Sequence, residues 1–231
     1  MSDAPKFVVI DCYLDDIGGA RNVVPHFPGA RVIRAARETI PDQVDADGVI
    51  ITGSAASVLE SRPWIDALEQ SVRRTAEQGT AILGLCFGHQ LLARALFGEG
   101  AVRRAVIPEF GWGQLELLGE EVLFDKVPAR FKCFLSHKDE IDPSCSAFQK
   151  GVRILSRSED CPVEAFAVLE RQCWGVQFHS EMDLTESRNL IESRLGAESS
   201  DAVRLLQDAI ETTELAKQLF ANFSSQVANG M

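Results

Sequence analysis

The chain is short of bases. Its 231 residues hold 23 Lys and Arg against 34 Asp and Glu, a formal net charge of −11. Nucleic-acid binders usually carry a basic patch, so that class is set aside. The same deficit argues against a role on anionic membranes, which attract basic segments. The six cysteines, at 12, 86, 133, 145, 161 and 173, include no Cys-x-x-Cys pair and no tight Cys/His cluster in sequence, so no metal site is expected. No apolar run reaches membrane-spanning length. The N-terminal Met-Ser-Asp-Ala-Pro-Lys lacks the regions of a signal peptide. A reduced, cytoplasmic setting follows as the expectation, one that suits free thiols. There is no G-x-G-x-x-G and no P-loop, so the Gly18-Gly19 pair reads as a turn rather than a phosphate cradle. Repeats, low-complexity tracts and long linkers are also lacking.

What is present is ordinary for a globular protein: 45% hydrophobic and 25% charged residues. That length accommodates one α/β domain with a sizeable core, and a single domain over 1–231 is expected. Apolar runs at 7–12, 30–34, 47–52 and 81–85 predict strands, and Pro63 is placed to open a helix running to about 78. Residues 90–97 predict a second helix. Beyond them the character changes. Alternation at 115–118 and strand-forming runs at 131–136, 152–156, 163–169 and 174–178 suggest antiparallel pairing. Trp112, inside Glu109-Phe110-Gly111-Trp112, reads as a packing residue beside a glycine turn. The last part is helical, over 185–195 and 201–227. Val203, Leu206, Ile210, Leu219, Phe220, Phe223 and Val227 form an apolar stripe for packing on the sheet. The βαβ succession predicts a doubly wound, mostly parallel sheet with helices on both faces, its site outside the carboxyl ends of the strands.

Two short segments carry chemistry. Gly84-Leu85-Cys86-Phe87-Gly88 follows a strand and precedes a helix, the pattern of a nucleophile elbow with cysteine for serine. The helix N-terminus behind Cys86 offers unpaired N–H groups and a positive dipole end, which favour a thiolate. A buried core cysteine between packing glycines fits the same five residues. The second segment, Cys173 to Glu181, places His179 at a strand end with Glu181 two residues on. Residues i and i+2 of an extended chain point the same way. His179 and Glu181 therefore meet the needs of a base and of the carboxylate that orients it. This second constellation favours the reactive reading of Cys86.

With these residues in hand, the chain resembles the class I glutamine amidotransferases. Gly84-Leu85-Cys86-Phe87-Gly88-His89-Gln90 is similar to the family's nucleophile motif, and His179-Ser180-Glu181 to its His-x-Glu. Two further segments follow the family order: Thr52-Gly53-Ser54-Ala55, like the oxyanion strand, and Ser136-His137-Lys138-Asp139, like the Ser-His-Gly-Asp of GMP synthase amidotransferase domains. The resemblance implies a flavodoxin-like fold and an enzyme with a Cys86–His179–Glu181 triad forming a γ-glutamyl thioester. It further implies an oxyanion hole from the Gly53 and Phe87 amides and substrate contacts from Gln90, Ser136 and His137; no cofactor is expected. Ser180 stands where the family has proline, and Lys138 where it has glycine; Lys138 is expected to reach solvent. No synthetase-type Ser-Gly-Gly-x-Asp motif occurs. The expected partners are thus glutamine and a separate ATP-dependent synthetase. The alternatives are a γ-glutamyl peptidase acting on γ-glutamyl compounds and a noncatalytic binding protein on the same fold. Whether two copies associate as a homodimer stays open.

Overall fold

The computed structural model describes residues 4–15 and 19–230. Among them run nine strands: β1 (Phe7–Asp11), β2 (Arg31–Arg34), β3 (Gly48–Ile51), β4 (Ala81–Leu85), β5 (Val102–Leu117), β6 (Arg130–Ile141), β7 (Val152–Arg157), β8 (Ala165–Val168) and β9 (Cys173–Val176). The helices are α1 (Ala20–Val23), α2 (Pro63–Glu77), α3 (Phe87–Phe97), α4 (Ser146–Gly151), α5 (Leu184–Leu195), α6 (Ser200–Gln207) and α7 (Thr213–Gly230). The strands form one sheet in the order β2-β1-β3-β4-β9-β8-β7-β5-β6. Its first five members pair in parallel and give the doubly wound, flavodoxin-like α/β part. The last four continue it antiparallel.

Side-chain alternation explains the two covered faces. Val8, Ile10, Val49, Ile51 and Ile82 point into one core with Ile65, Leu68 and Val72 of α2 and Leu91 and Leu92 of α3. Val9, Ile50, Leu83 and Leu85 point into the other, with Leu219, Phe220, Phe223 and Val227 of α7. Strands buried on both faces become continuous apolar runs, as Gly48-Val49-Ile50-Ile51 and Ala81–Leu85 do. Pro63 opens α2 as the sequence suggests, and the buried spacing Ile65, Leu68, Val72, Ala76 fixes its inner face.

Three expectations need correction. The helix that follows Cys86 begins at Phe87, not Gln90, so no loop separates elbow and helix. The strand expected at 115–118 is the end of β5, which starts at Val102 and pairs with β6 over most of its length. The single helix expected over 201–227 is two. The Glu211 carboxylate accepts from the amides of both Thr212 and Thr213, ending the intervening loop and starting α7. The apolar stripe is divided accordingly. Leu206 and Ile210 pack near Trp112 and Phe134, α7 packs under the sheet, and Val203 is exposed. Trp112 packs against Phe134, as its packing reading requires. Gly18 lies outside the described residues; Gly19 precedes α1.

Gly84 and Gly88 set how closely α3 rides on the sheet. A methyl group at Gly84 would run into the Gly88 carbonyl oxygen, and one at Gly88 into the Ile51 carbonyl oxygen, both well inside van der Waals contact. Both clashes are with backbone, which cannot rotate away. Gly84→Ala therefore lowers stability by about 1–3 kcal/mol or more in denaturant melts. Gly119→Ala, where a methyl group meets nothing within 4 Å, changes it by less than about 0.5 kcal/mol. Equal effects would contradict this packing account.

Candidate active site

The site forms where β3, β4 and β9 end side by side. Cys86 joins β4 to α3 with φ 49° and ψ −100°, a conformation a side chain rarely adopts. Such strain costs on the order of 1–3 kcal/mol and persists only where neighbours enforce it. Here the Cys86 amide donates to the Val176 carbonyl at 2.8 Å, and the Gln90 amide donates to the Cys86 carbonyl at 3.1 Å. The Cys86 sulfur lies 3.8 Å from the Ser136 carbonyl oxygen of β6.

His179 lies three residues past β9. Its amide donates to the Phe134 carbonyl at 2.8 Å in an isolated antiparallel bridge to β6. One strand thus touches both Cys86 and His179. The ring Nδ1 is 2.8 Å from Glu181 Oε1, and both side chains are almost fully buried. Burial by itself would lower the imidazole pKa. The nearby Cys86 sulfur and the Glu181 carboxylate, the latter hydrogen-bonded to Nδ1, overcome it and raise the pKa well above the ordinary value. Gly53, just past β3, stands against this pair. A methyl group there would lie 3.1 Å from His179 Cε1 and 3.6 Å from Cys86 Cβ. Phe87 is the first residue of α3, where amides have no intrahelical acceptor.

A cleft of about 270 Å³ opens over the sulfur, bordered by Ser54, Phe87, Gln90, Ser136, His137 and Lys138 among others. Lys138 is exposed, as expected. Gln90 borders the cleft, but its amide group is engaged inward, donating to the Asp139 carbonyl at 2.8 Å and to Gln177 Oε1 at 2.9 Å. Ser136 receives a hydrogen bond on Oγ from Arg194 at 3.0 Å. Arg194, near the end of α5, stacks over Phe110 and reaches both this cleft and a second one of about 440 Å³ beside His179. No sequence signal singles out Arg194, which lies at the end of an ordinary amphipathic helix.

The His137 side chain is buried and faces two carboxylates, one of which, Glu109, also borders the cleft. Its Nε2 is 3.1 Å from Glu109 Oε2 and 3.5 Å from Glu164 Oε1. Burial opposes its charge, but these carboxylates push its pKa up to about 10. Burial pushes the Glu164 carboxyl up to about 7 against the pull of His137. Cys161 joins them, so one ligating atom from each of Glu109, His137, Cys161 and Glu164 lies within 4.8 Å of the others. The absence of Cys/His spacing in the sequence concealed this meeting, because its members come from distant segments.

The His179 environment gives a direct test. Replacing Glu181 by Gln removes a negative charge that favours the imidazolium, so the proton leaves at lower pH. An NMR titration of the four histidine rings will show the His179 pKa above that of an ordinary histidine and lowered in Glu181→Gln. An unchanged midpoint would contradict the geometry.

Comparison with known proteins identifies the family. A family model described as glutamine amidotransferase class-I matches residues 21–195. GMP synthase (glutamine-hydrolyzing) of Aeropyrum pernix is 34% identical over 195 residues, 80% of this chain; the chain spans only 34% of that relative's length. A GMP synthase (glutamine-hydrolyzing) subunit of Methanocaldococcus jannaschii is 34% identical over 67% of this chain and 74% of its own. Among solved structures, a glutamine amidotransferase from Thermotoga maritima superposes with TM-score 0.79 at 19% identity, over 98% of this chain and 99% of its own. A glutamine amidotransferase from Methylobacillus flagellatus gives 0.77 at 21% identity, over 100% and 96%. These two likenesses establish a shared fold, and the sequence match over most of the chain goes further: the protein belongs to the class I glutamine amidotransferase family.

Proposed function

We propose that the chain is a single catalytic domain that hydrolyses the side-chain amide of glutamine and passes the ammonia to a separate ATP-dependent synthetase. The observation that carries this reading is the His179 ring, hydrogen-bonded to Glu181 and standing with Cys86 against Gly53. In this mechanism the Cys86 sulfur attacks the amide carbon, and its charge moves to the carbonyl oxygen. The amides of Gly53 and Phe87 receive that oxygen, each such donor contributing roughly 3–4 kcal/mol in comparable sites. His179 gives a proton to the departing ammonia, leaving a γ-glutamyl thioester. It then takes a proton from water, which attacks the thioester and releases glutamate. Glu181 holds the ring in the required tautomer. Gln90, Ser136 and His137 border the space for the amino-acid end of glutamine, the latter two through their backbone.

The relatives in M. jannaschii and Pyrococcus abyssi support the partner half of the proposal, since each is named as one subunit of a GMP synthase. No helix among the described residues is long and apolar enough to cross a membrane, and all six cysteines are free. A cytoplasmic location suits both. A second reading draws on the 440 Å³ cavity beside His179, bordered by Tyr13, Asn22, Met182 and Asn189. It offers room for a leaving group larger than ammonia, as a γ-glutamyl peptide or conjugate would present.

Purified protein given glutamine will release glutamate and ammonia in equal amounts, faster when the cognate synthetase is added. Cys86→Ser will lower the rate by at least about 10³-fold. Faster cleavage of a γ-glutamyl dipeptide than of glutamine would transfer the assignment to the second reading. No turnover of either, with no labelling of Cys86 by a glutamine-like electrophile, would leave a noncatalytic binding protein and overturn both.

A further inference from the structure

We propose that Glu109, His137, Cys161 and Glu164 form a binding site for one divalent transition-metal ion of the zinc class, on the inner side of the strands that border the cleft. The four residues come from β5, from β6 and from the loop before β8, and their ligating atoms gather within 4.8 Å of one another. Zinc bonds to nitrogen and oxygen are about 2.0–2.2 Å, so adjacent ligands of a tetrahedral ion stand roughly 3.4 Å apart. His137 Nε2 already stands 3.1 Å from Glu109 Oε2 and 3.5 Å from Glu164 Oε1. A small inward movement of the side chains closes the wider edges. A mixed set of imidazole, thiolate and carboxylates suits a borderline-soft ion and disfavours magnesium or calcium, which want oxygen alone.

Glu164 supplies the independent observation. It is fully buried, and neither carboxylate oxygen has a hydrogen-bond partner. His137 Nε2 hydrogen-bonds to Glu109 and faces Glu164 Oε1 only as an ion pair at 3.5 Å. With one cation shared between two carboxylates and no hydrogen bond to the buried Glu164, the pocket favours a more concentrated positive charge. A dication entering as His137 and Cys161 each release one proton supplies that charge and leaves the net charge of the cluster unchanged. Ligation would tie β5 and β6 to the loop before β8 directly beneath Ser136–Asp139. Its role would be to brace the backbone beside the cleft, without contact with the reacting atoms.

The test uses the full chain carrying Cys86→Ser, because Cys86 beside His179 would itself attract a metal. After chelator treatment and dialysis, cobalt(II) is titrated and followed by absorption. The expected result is one cobalt per chain with a thiolate-to-cobalt charge-transfer band. Zinc displaces the cobalt, and an added Cys161→Ser abolishes the band. Glu164→Gln weakens cobalt binding by more than about tenfold, the loss typical of even an outer-shell partner. Should Cys161→Ser fail to fold, histidine-ring NMR of the Cys86→Ser protein with one equivalent of zinc locates the ion, the His137 signals being those expected to shift. Failure to bind cobalt, a charge-transfer band that survives Cys161→Ser, or zinc-induced shifts that bypass His137 would each overturn the proposal. None of these readings requires enzymatic turnover, so they are independent of the glutaminase assignment.

Discussion

The site depends on a backbone conformation that the chain would not adopt by itself. Cys86 has a positive φ although it carries a side chain, and it keeps it because β4 leads in, α3 leads out and there is no slack between them. Gly84 and Gly88 make this possible by letting the first turn of α3 press against the backbone of β3 and β4. The same compression leaves the sulfur at the helix N-terminus and the Phe87 amide pointing free of the helix ladder. Relaxing that turn would move the proposed nucleophile, the proposed oxyanion donor and the helix axis together.

The antiparallel half of the sheet has a different role. Through β6 it supplies the Phe134 carbonyl that holds the His179 amide and the Ser136 carbonyl that faces the Cys86 sulfur. Cys86 and His179 are 93 positions apart, yet their strands β4 and β9 are immediate neighbours in parallel register, Leu85 beside Val176. The parallel strands bring the two groups to one end of the sheet, and β6 fixes their separation. Glu181 then completes a buried unit by holding the His179 ring through Nδ1.

Much of this could be read in the sequence because its signals are local. An elbow is five consecutive residues, and His-x-Glu spans three. Both-face burial leaves plain apolar runs at β1, β3 and β4. The features that escaped are those whose causes are distant along the chain. Most of β5 is held by its pairing with β6 rather than by a core, and Val106 and Ile107 are exposed, so no alternation marks it. The break between α6 and α7 rests on a single carboxylate capturing two amides. Arg194 and the Glu109–His137–Cys161–Glu164 cluster exist only after four remote segments have met.

The central claim is that the Cys86 sulfur, activated in this buried unit, becomes covalently bonded to substrate. Acid-quenching the protein during steady-state turnover of glutamine and mapping its peptides by mass spectrometry tests it most directly. A γ-glutamyl group on the peptide that carries Cys86, absent when Cys86 is replaced by Ala, is the result this account predicts. Continued turnover with no acylated Cys86, or with the acyl group on another residue, would contradict it.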